Sequence, residues 1–425
     1  VKRACIYGLY RDESDRLREE VGFLDYIYHC RGCLSCVQDC TKNILTRVVN
    51  PEYERLGDDT YTPDIILSTW YQAETGHIPV SGAGYGGPFS GTGFDSMWTD
   101  MSEIVRPTRD GIHGREYINT GVDIGRKSKH LDFSRGELAT TPAPILEVPL
   151  PVIFEAIPEY WRRGPVLPAI IKAAAKIGLM SVVLGDAIPE GFSVDEDRII
   201  PWIEQPTANE HLDAATMILV PDQPERADLK EANPARIVAV RVQASPDAVD
   251  RVRELTRDGV EVVHLVFDRS GLEKASSNPR HARDVLREIH GALVKDGTRD
   301  QVTLVASGGI AMAEHVAKAV ICGADLVAID VPLLLAMECR LCGECERGEA
   351  CPLALSEIDQ SYAERRILNL MGAWHQQLIE MLGAMGIREM RRVRGETGRA
   401  MFFEDLERES FGELFGTPRK APSLP

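Results

Sequence analysis

Val302-Thr303-Leu304-Val305-Ala306-Ser307-Gly308-Gly309-Ile310 and, after twelve intervening residues, Gly323-Ala324-Asp325-Leu326-Val327-Ala328-Ile329 are the stretches that decide the fold of this chain. Each contains a short apolar, β-branched run without polar alternation, as expected of a strand covered on both faces. The residues between them, 311–322, repeat their apolar positions at helical spacing. Strand, helix and strand at these lengths form a βαβ unit, whose two strands are parallel. Upstream the same alternation recurs, with strand-like runs at 181–184, 217–220, 237–242 and 260–267 and amphipathic helices at 246–258 and 281–295. Six or seven such strands make up most of a (β/α)8 (TIM) barrel, and a doubly wound open sheet is the alternative.

Directly after this unit comes Cys339-Arg340-Leu341-Cys342-Gly343-Glu344-Cys345, closed by Cys351-Pro352. A second group lies near the start, Cys30-Arg31-Gly32-Cys33-Leu34-Ser35-Cys36-Val37-Gln38-Asp39-Cys40. Eight of the ten cysteines fall in these two groups, at the two-residue gaps of metal ligands rather than of a disulfide framework. Three cysteines at such spacing wrap one iron–sulfur cluster in a tight loop. The first group has the bacterial ferredoxin spacing, with Thr41 where proline usually follows. Two clusters, of the 4Fe-4S type, are therefore expected on Cys30, Cys33, Cys36 and Cys40 and on Cys339, Cys342, Cys345 and Cys351. Spacing leaves open whether Cys40 and Cys351 exchange between the clusters. Structural zinc is the alternative, although zinc sites usually pair two Cys-x-x-Cys knuckles. Cys5 and Cys322 stand apart, and Cys322, on an apolar helix face, reads as a buried small residue.

Length and charge narrow the rest. At 425 residues the chain has room for two or three units. A net charge of −17 opposes binding to nucleic acid or an anionic membrane, both of which need clustered Lys and Arg. No apolar run approaches the roughly 20 residues of a membrane span, and no secretory signal is visible. With thiols at ligand spacing, a reducing cytoplasm is the expected location. The chain divides into a ferredoxin-like module (1–50), an irregular Gly-rich connecting region (51–143), the barrel (144–338), the second cluster loop (339–355) and a helical extension (356–425). In that extension Ile367, Leu370, Met371, Trp374, Leu378 and Leu382 recur at helix spacing and read as core, while the Pro-rich end from Thr417 reads as mobile.

Two anion sites are expected. Ser307-Gly308-Gly309 between a strand and a helix start lets backbone N–H groups approach a phosphate, and in (β/α)8 enzymes phosphates sit at the loops after the last two strands. With Gly323 before the final strand, this points to FMN. The glycines around Gly82 are not a dinucleotide fingerprint, because Gly87-Pro88 prevents a helix from following directly. The other candidate is the cationic run 106–115, where Arg106, Arg109 and Arg115 could seat a substrate carboxylate or a phosphate. A loop pinned by salt bridges explains it equally well.

Strand, Ser307-Gly308-Gly309, helix, Gly323-Ala324, strand and a cysteine loop ending in Cys351-Pro352 resemble the FMN-binding barrel of the glutamate synthase large subunit. The N-terminal cysteine group makes the whole similar to the short archaeal-type form. The resemblance implies an FMN-binding barrel, FMN in its mouth, a cluster within electron-transfer distance, and reduction of 2-iminoglutarate formed from 2-oxoglutarate and ammonia. It also places Arg241 where the family's substrate strand bears a lysine, and sets Met180 and Ser181 in its flavin segment. This chain departs from the family in that Lys→Arg exchange, in Asp268-Arg269-Ser270-Gly271, which keeps little of a glycine-rich turn, and in four cysteines where three are usual. An electron-relay subunit of a multi-subunit redox complex is therefore expected, partnered by other subunits or redox proteins, ferredoxin among the candidates. A catalytic glutamate synthase and a zinc-stabilised scaffold are the competing readings.

Overall fold

The computed structural model describes residues 33–44, 46, 51–78, 91–99, 117–128, 131–138, 143–162, 164–204, 214–224 and 226–415. Cys5, Cys30, Arg106, Arg109, Arg115 and the end from Thr417 lie outside the described residues.

Eight parallel strands close into a barrel: β1 (Val152–Phe154), β2 (Ser181–Leu184), β3 (Ile199–Trp202), β4 (Met217–Pro221), β5 (Ile237–Gln243), β6 (Val262–Val266), β7 (Thr303–Ser307) and β8 (Leu326–Ile329). Each pairs with the next, and β8 returns to β1 through Val327 opposite Val152, Ala328 opposite Ile153 and Ile329 opposite Phe154. Closure rules out the open sheet. The two strands that sequence reading passes over both sit beside proline. β1 has three residues and follows Pro149-Leu150-Pro151, while β3 is Ile199-Ile200-Pro201-Trp202, whose internal proline lacks a ladder donor and argues against a central strand. A closed ladder tolerates these short elements because both edges of each are covered.

Eight helices pack against the strands or one another: α1 (Pro63–Thr75), α2 (Val166–Lys176), α3 (Arg226–Ala232), α4 (Ala248–Arg257), α5 (Ala282–Lys295), α6 (Ala313–Cys322), α7 (Val331–Ala336) and α8 (Gln360–Met385). The expected helices at 246–258, 281–295 and 311–322 correspond to α4, α5 and α6. The stripe from Ile367 to Leu382 is buried along α8, which packs across α1, α2 and α6.

The described part of the connecting region includes a well-packed helix. α1 starts with proline at its first position and ends at Gly76 in the left-handed region (φ 69°), and it buries Ile65, Ile66, Trp70 and Ala73. Arg366 of α8 ties α1 to the barrel, donating to the carbonyls of Ala336 and, at 3.2 Å, of Trp70 while pairing with Glu338 at 3.2 Å. Residues 97–99 pair antiparallel with 400–402, so the connecting region and the C-terminal extension close on each other.

Beside α5 and α6, Phe94 is buried between two histidine rings, with centroids 4.8 Å from His281 and 5.8 Å from His315. His315 Nε2 lies 2.9 Å from Asp95 Oδ1, and His281 Nδ1 accepts from the N–H of Arg283 at the start of α5. Burial, with Arg283 and His315 adding to it, pushes the His281 imidazole down from 6.5 to about 3. Burial and the neighbouring Arg299 push His290 down to about 4.

Gly323 ends α6 with φ 120°, and a Cβ there would lie 2.4 Å from the His290 Cβ. Gly291, within α5, has no atom within 4 Å of such a Cβ. Gly323→Ala should therefore destabilise the fold by more than about 1 kcal/mol, whereas Gly291→Ala should be neutral or stabilise it by up to about 1 kcal/mol. Denaturant unfolding of both variants checks this, and equal effects would contradict it. Because the folded state refuses protons that the unfolded histidines take up below 6.5, stability should be full above that pH and fall on acidification towards 4 and 3. The slope should reach about 1.4 kcal/mol per pH unit per histidine. His281→Asn keeps the capping acceptor and should flatten the loss between pH 6 and pH 4; an unchanged slope would exclude His281 as its source.

Candidate functional site

The C-terminal ends of the strands gather a polar group inside the barrel. Arg241 on β5 stands opposite His264 on β6, and Val266 opposite Ser307 on β7, so strand alternation turns Arg241, His264 and Ser307 to the same interior face. Glu155, just beyond β1, completes the group. Arg241 Nη1 donates to Glu155 Oε1 at 2.9 Å, and the guanidinium stacks over Trp202 at 4.4 Å. His264 Nε2 lies 3.1 Å from Ser307 Oγ and 3.0 Å from Glu155 Oε2. The latter contact is an ion-pair approach without hydrogen-bond alignment, and Oε2 is left without a hydrogen-bond partner. Burial opposes ionisation of Glu155, but His264 and Arg241 more than offset it and hold the carboxyl well below the usual carboxylate range. Arg241 is thus half of an internal ion pair. Its side chain keeps 20% exposure against 5% for Glu155.

Sequence reading found Arg241 and Ser307 but not Glu155, His264 or Trp202. Trp202 lies on, and Glu155 directly after, the two strands that prolines disguised. His264 carried a usable signal, as the one polar residue in Val262-Val263-His264-Leu265-Val266.

The turn after β7 is enclosed by the chain itself. Gly308 and Gly309 have φ of 100° and 71°, and Cβ atoms there would lie 2.3 Å from the Asp268 carbonyl oxygen and 2.7 Å from Gly271 Cα. The glycines permit close approach of the turn after β6. The N–H of Gly309 donates to the Arg269 carbonyl at 3.3 Å, and that of Ala311 to His315 Nδ1 at 3.2 Å. Asp268 Oδ1 takes the N–H groups of Ser270 and Leu272, each at 2.8 Å, and Asp330 Oδ1 takes that of Val331 at 2.6 Å. Thr60 bonds Ser270 at 2.9 Å from above, and residues Gly309 to Ala313 are buried.

Gly323 ends α6 on the opposite rim, where β8 begins, and its carbonyl accepts from Arg299. Met180 and Ser181 begin β2 beside the end of β1: the Phe154 N–H donates to the Met180 carbonyl at 2.9 Å, and Ser181 pairs with Phe154, one residue before Glu155. Strand alternation gives the interior to Val182 and Leu184, so Ser181 faces the helix layer, its buried Oγ without a partner.

β8 runs through Asp330 and α7 directly into the second cysteine group. Cys339, Cys342, Cys345 and Cys351 line one cavity of about 300 Å³, walled by Tyr160, Trp161 and Leu334. Trp161 Nε1 donates to Cys345 Sγ at 3.2 Å. The loop bends through left-handed residues that include Leu341 (φ 53°) and Ala354 (φ 45°), a backbone cost usually kept where a ligand site needs it. Burial first, then the three neighbouring cysteines, push the Cys339 thiol up to about 12. Arg269, from the turn after β6, pairs with Asp58 and with Glu346 of the cysteine loop at 3.1 Å each, pinning that loop to the barrel. Of the first group, Cys33, Cys36 and Cys40 surround the single helical turn Ser35–Gln38, with Leu34 left-handed (φ 62°), while Cys30 is not described. Among the described residues, no three His, Cys, Asp or Glu side chains converge as ligands of a single metal ion. No helix among them is long and apolar enough to cross a membrane.

Comparison with known proteins points to these same elements. The conserved region in glutamate synthase matches residues 275–388, which hold α5, β7, α6, β8, the cysteine loop and α8. An archaeal glutamate synthase [NADPH] of Archaeoglobus fulgidus is 24% identical over 489 residues, spanning 97% of this chain and 93% of the relative. The archaeal-type glutamate synthase [NADPH] of Dehalococcoides mccartyi is 24% identical, spanning 86% of each. Among solved structures, the flavin-binding domain of baker's yeast flavocytochrome b2 overlays with a TM-score of 0.44 at 12% identity, covering 86% of this chain and 87% of that one. With the conserved region on β7, β8 and the cysteine loop, and related sequence along nearly the whole chain, this protein is similar to the archaeal-type glutamate synthases.

Proposed function

We propose that the chain is a flavin- and iron–sulfur-containing oxidoreductase subunit that relays electrons between 4Fe-4S clusters and FMN within a multi-subunit redox complex. The observation that carries this is the cavity on the cysteine loop. Four thiols lining one space fit the ligand set of an iron–sulfur cluster. The loop after β1 spans both sites: Glu155 stands at the barrel mouth and, a few residues on, Tyr160 and Trp161 wall the cavity. An electron leaving the cluster thus has a short protein path to the mouth.

The polar groups at the mouth suit the ring of a flavin: Glu155, held ionised beside Arg241 and His264, offers carboxylate acceptors to a ring imide N–H, and the partly exposed Arg241 can donate to a ring carbonyl. Bound there, a flavin supplies the conversion between one- and two-electron transfer. Glu155 positions Arg241, while Trp202 supports its flat face and keeps water from it. The first cysteine group would hold the second cluster and dock a redox protein, with ferredoxin the first candidate to test.

Relay is preferred over substrate chemistry because of the Arg241–Glu155 pair. A dicarboxylate such as 2-oxoglutarate needs an unneutralised cation, and this guanidinium already faces a carboxylate at 2.9 Å. Catalytic glutamate synthesis remains the second reading, favoured by the names of relatives that span 97% and 86% of the chain.

Anaerobically purified protein should contain about four iron and four sulfide per cluster, and Cys345→Ser should remove about half of the iron. Protein holding zinc and no iron would end the redox reading. Supplied with reduced viologen, 2-oxoglutarate and ammonia, flavin-loaded protein should form no glutamate above the rate without protein. Turnover near about 1 per second or faster would instead establish the catalytic reading.

A further inference from the structure

Resting on the relay reading, we infer that Trp161 raises the reduction potential of the cluster on the second cysteine group, acting through Cys345: its indole N–H bonds the ligand sulfur and makes the cluster easier to reduce. Trp161 Nε1 lies 3.2 Å from Cys345 Sγ, the atom that becomes an iron-bound thiolate when a cluster is held. A thiol sulfur is a weak acceptor and an anionic sulfur a stronger one, so this bond strengthens once iron is bound. Reduction adds one electron and no proton, breaks no bond, and increases the negative charge on the sulfurs. A donor aimed at one of them therefore favours the reduced state over the oxidised one. Hydrogen bonds to the sulfurs are among the levers by which a protein sets a cluster potential.

The donor is held in place and kept dry. Trp161 closes one short helical turn, Glu159–Trp161, entered through Pro158, whose carbonyl accepts the Trp161 backbone N–H at 2.9 Å. Tyr160 packs edge-on against its ring, with centroids 5.0 Å apart. Gly164, with φ 61°, brings the same loop so close to Ser356, five residues past Cys351, that a Cβ there would collide with the Ser356 carbonyl. Only 8% of Trp161 is exposed, so water competes little for its N–H. Glu346 and Glu349 also line the cavity, and their charge would oppose an added electron. They keep 37% and 59% exposure and pair with Arg269 and Arg347, so solvent and salt screen them. The indole is the buried, uncharged group that acts on the sulfur directly.

Trp161→Phe tests the sign of the effect as well as its size. The variant keeps an aromatic wall and removes the donor. If the smaller ring merely let water reach the cluster, solvent would stabilise the more highly charged reduced state and the potential would rise instead. The full chain, purified anaerobically with its clusters and flavin, would be titrated with dithionite and redox mediators and followed by electron paramagnetic resonance. In the variant, the equilibrium constant for one-electron reduction of one cluster should be about tenfold smaller, a potential about 59 mV more negative, with the other cluster's midpoint unmoved. A change of less than about twofold, equal shifts of both clusters, or a shift to more positive potential would overturn the inference and leave the relay reading standing. Wild-type protein with isotopically labelled indole nitrogen gives a second measurement, which decides alone if the variant does not assemble its cluster. A reduced cluster should then couple to one labelled nitrogen and to one proton that exchanges in heavy water, and a missing nitrogen coupling would overturn the inference. Wild-type protein without iron would overturn both readings.

Discussion

Closure of the sheet between β1 and β8 is the constraint on which the rest of the molecule depends. Three residues, Val152 to Phe154, join Val327 to Ile329 and turn a row of parallel strands into a barrel without edges. Without that seam the strand ends would not face one another, and Glu155 could not reach Arg241 from four strands away around the ring. The seam also places the loop after β1 beside the loop after β8. One carries Tyr160 and Trp161 and the other the cysteines, so the same three residue pairs that close the barrel assemble the cysteine cavity.

A buried ion pair inside the mouth results from this geometry and carries its own cost. Removing Glu155 and Arg241 from water is unfavourable, and their attraction offsets that cost only with further partners. Trp202 under the guanidinium and His264 beside the carboxylate are those partners. In this arrangement the charge of Arg241 is matched by the carboxylate of Glu155.

The packing around the barrel shows how a long connecting region becomes structural. α1 and α8 are joined by Arg366, and residues 58–61 cover the turns after β6 and β7. Arg269 links this cover to the cysteine loop through Asp58 and Glu346. The chain has therefore invested the ends of its strands in contacts with itself.

Local sequence determined a good deal of this protein. Apolar runs identified six of the eight strands, helical periodicity identified α4, α5, α6 and the buried stripe of α8, and cysteine spacing marked the loop that lines the cavity. These features are short-range, since strand alternation, helix spacing and ligand spacing are written within a dozen residues. Tertiary structure decided the rest. β1 and β3 are strands because both neighbours pair with them, despite their prolines. Gly323 lies on the opposite rim because the direction of β8, rather than its residue types, sets which end faces the mouth. Glu155 belongs with Arg241 although 86 positions separate them. Ser307-Gly308-Gly309 can be read locally as an anion turn, but the segments that cover it, residues 58–61 and the turn after β6, are distant in sequence, and only the tertiary fold brings them there.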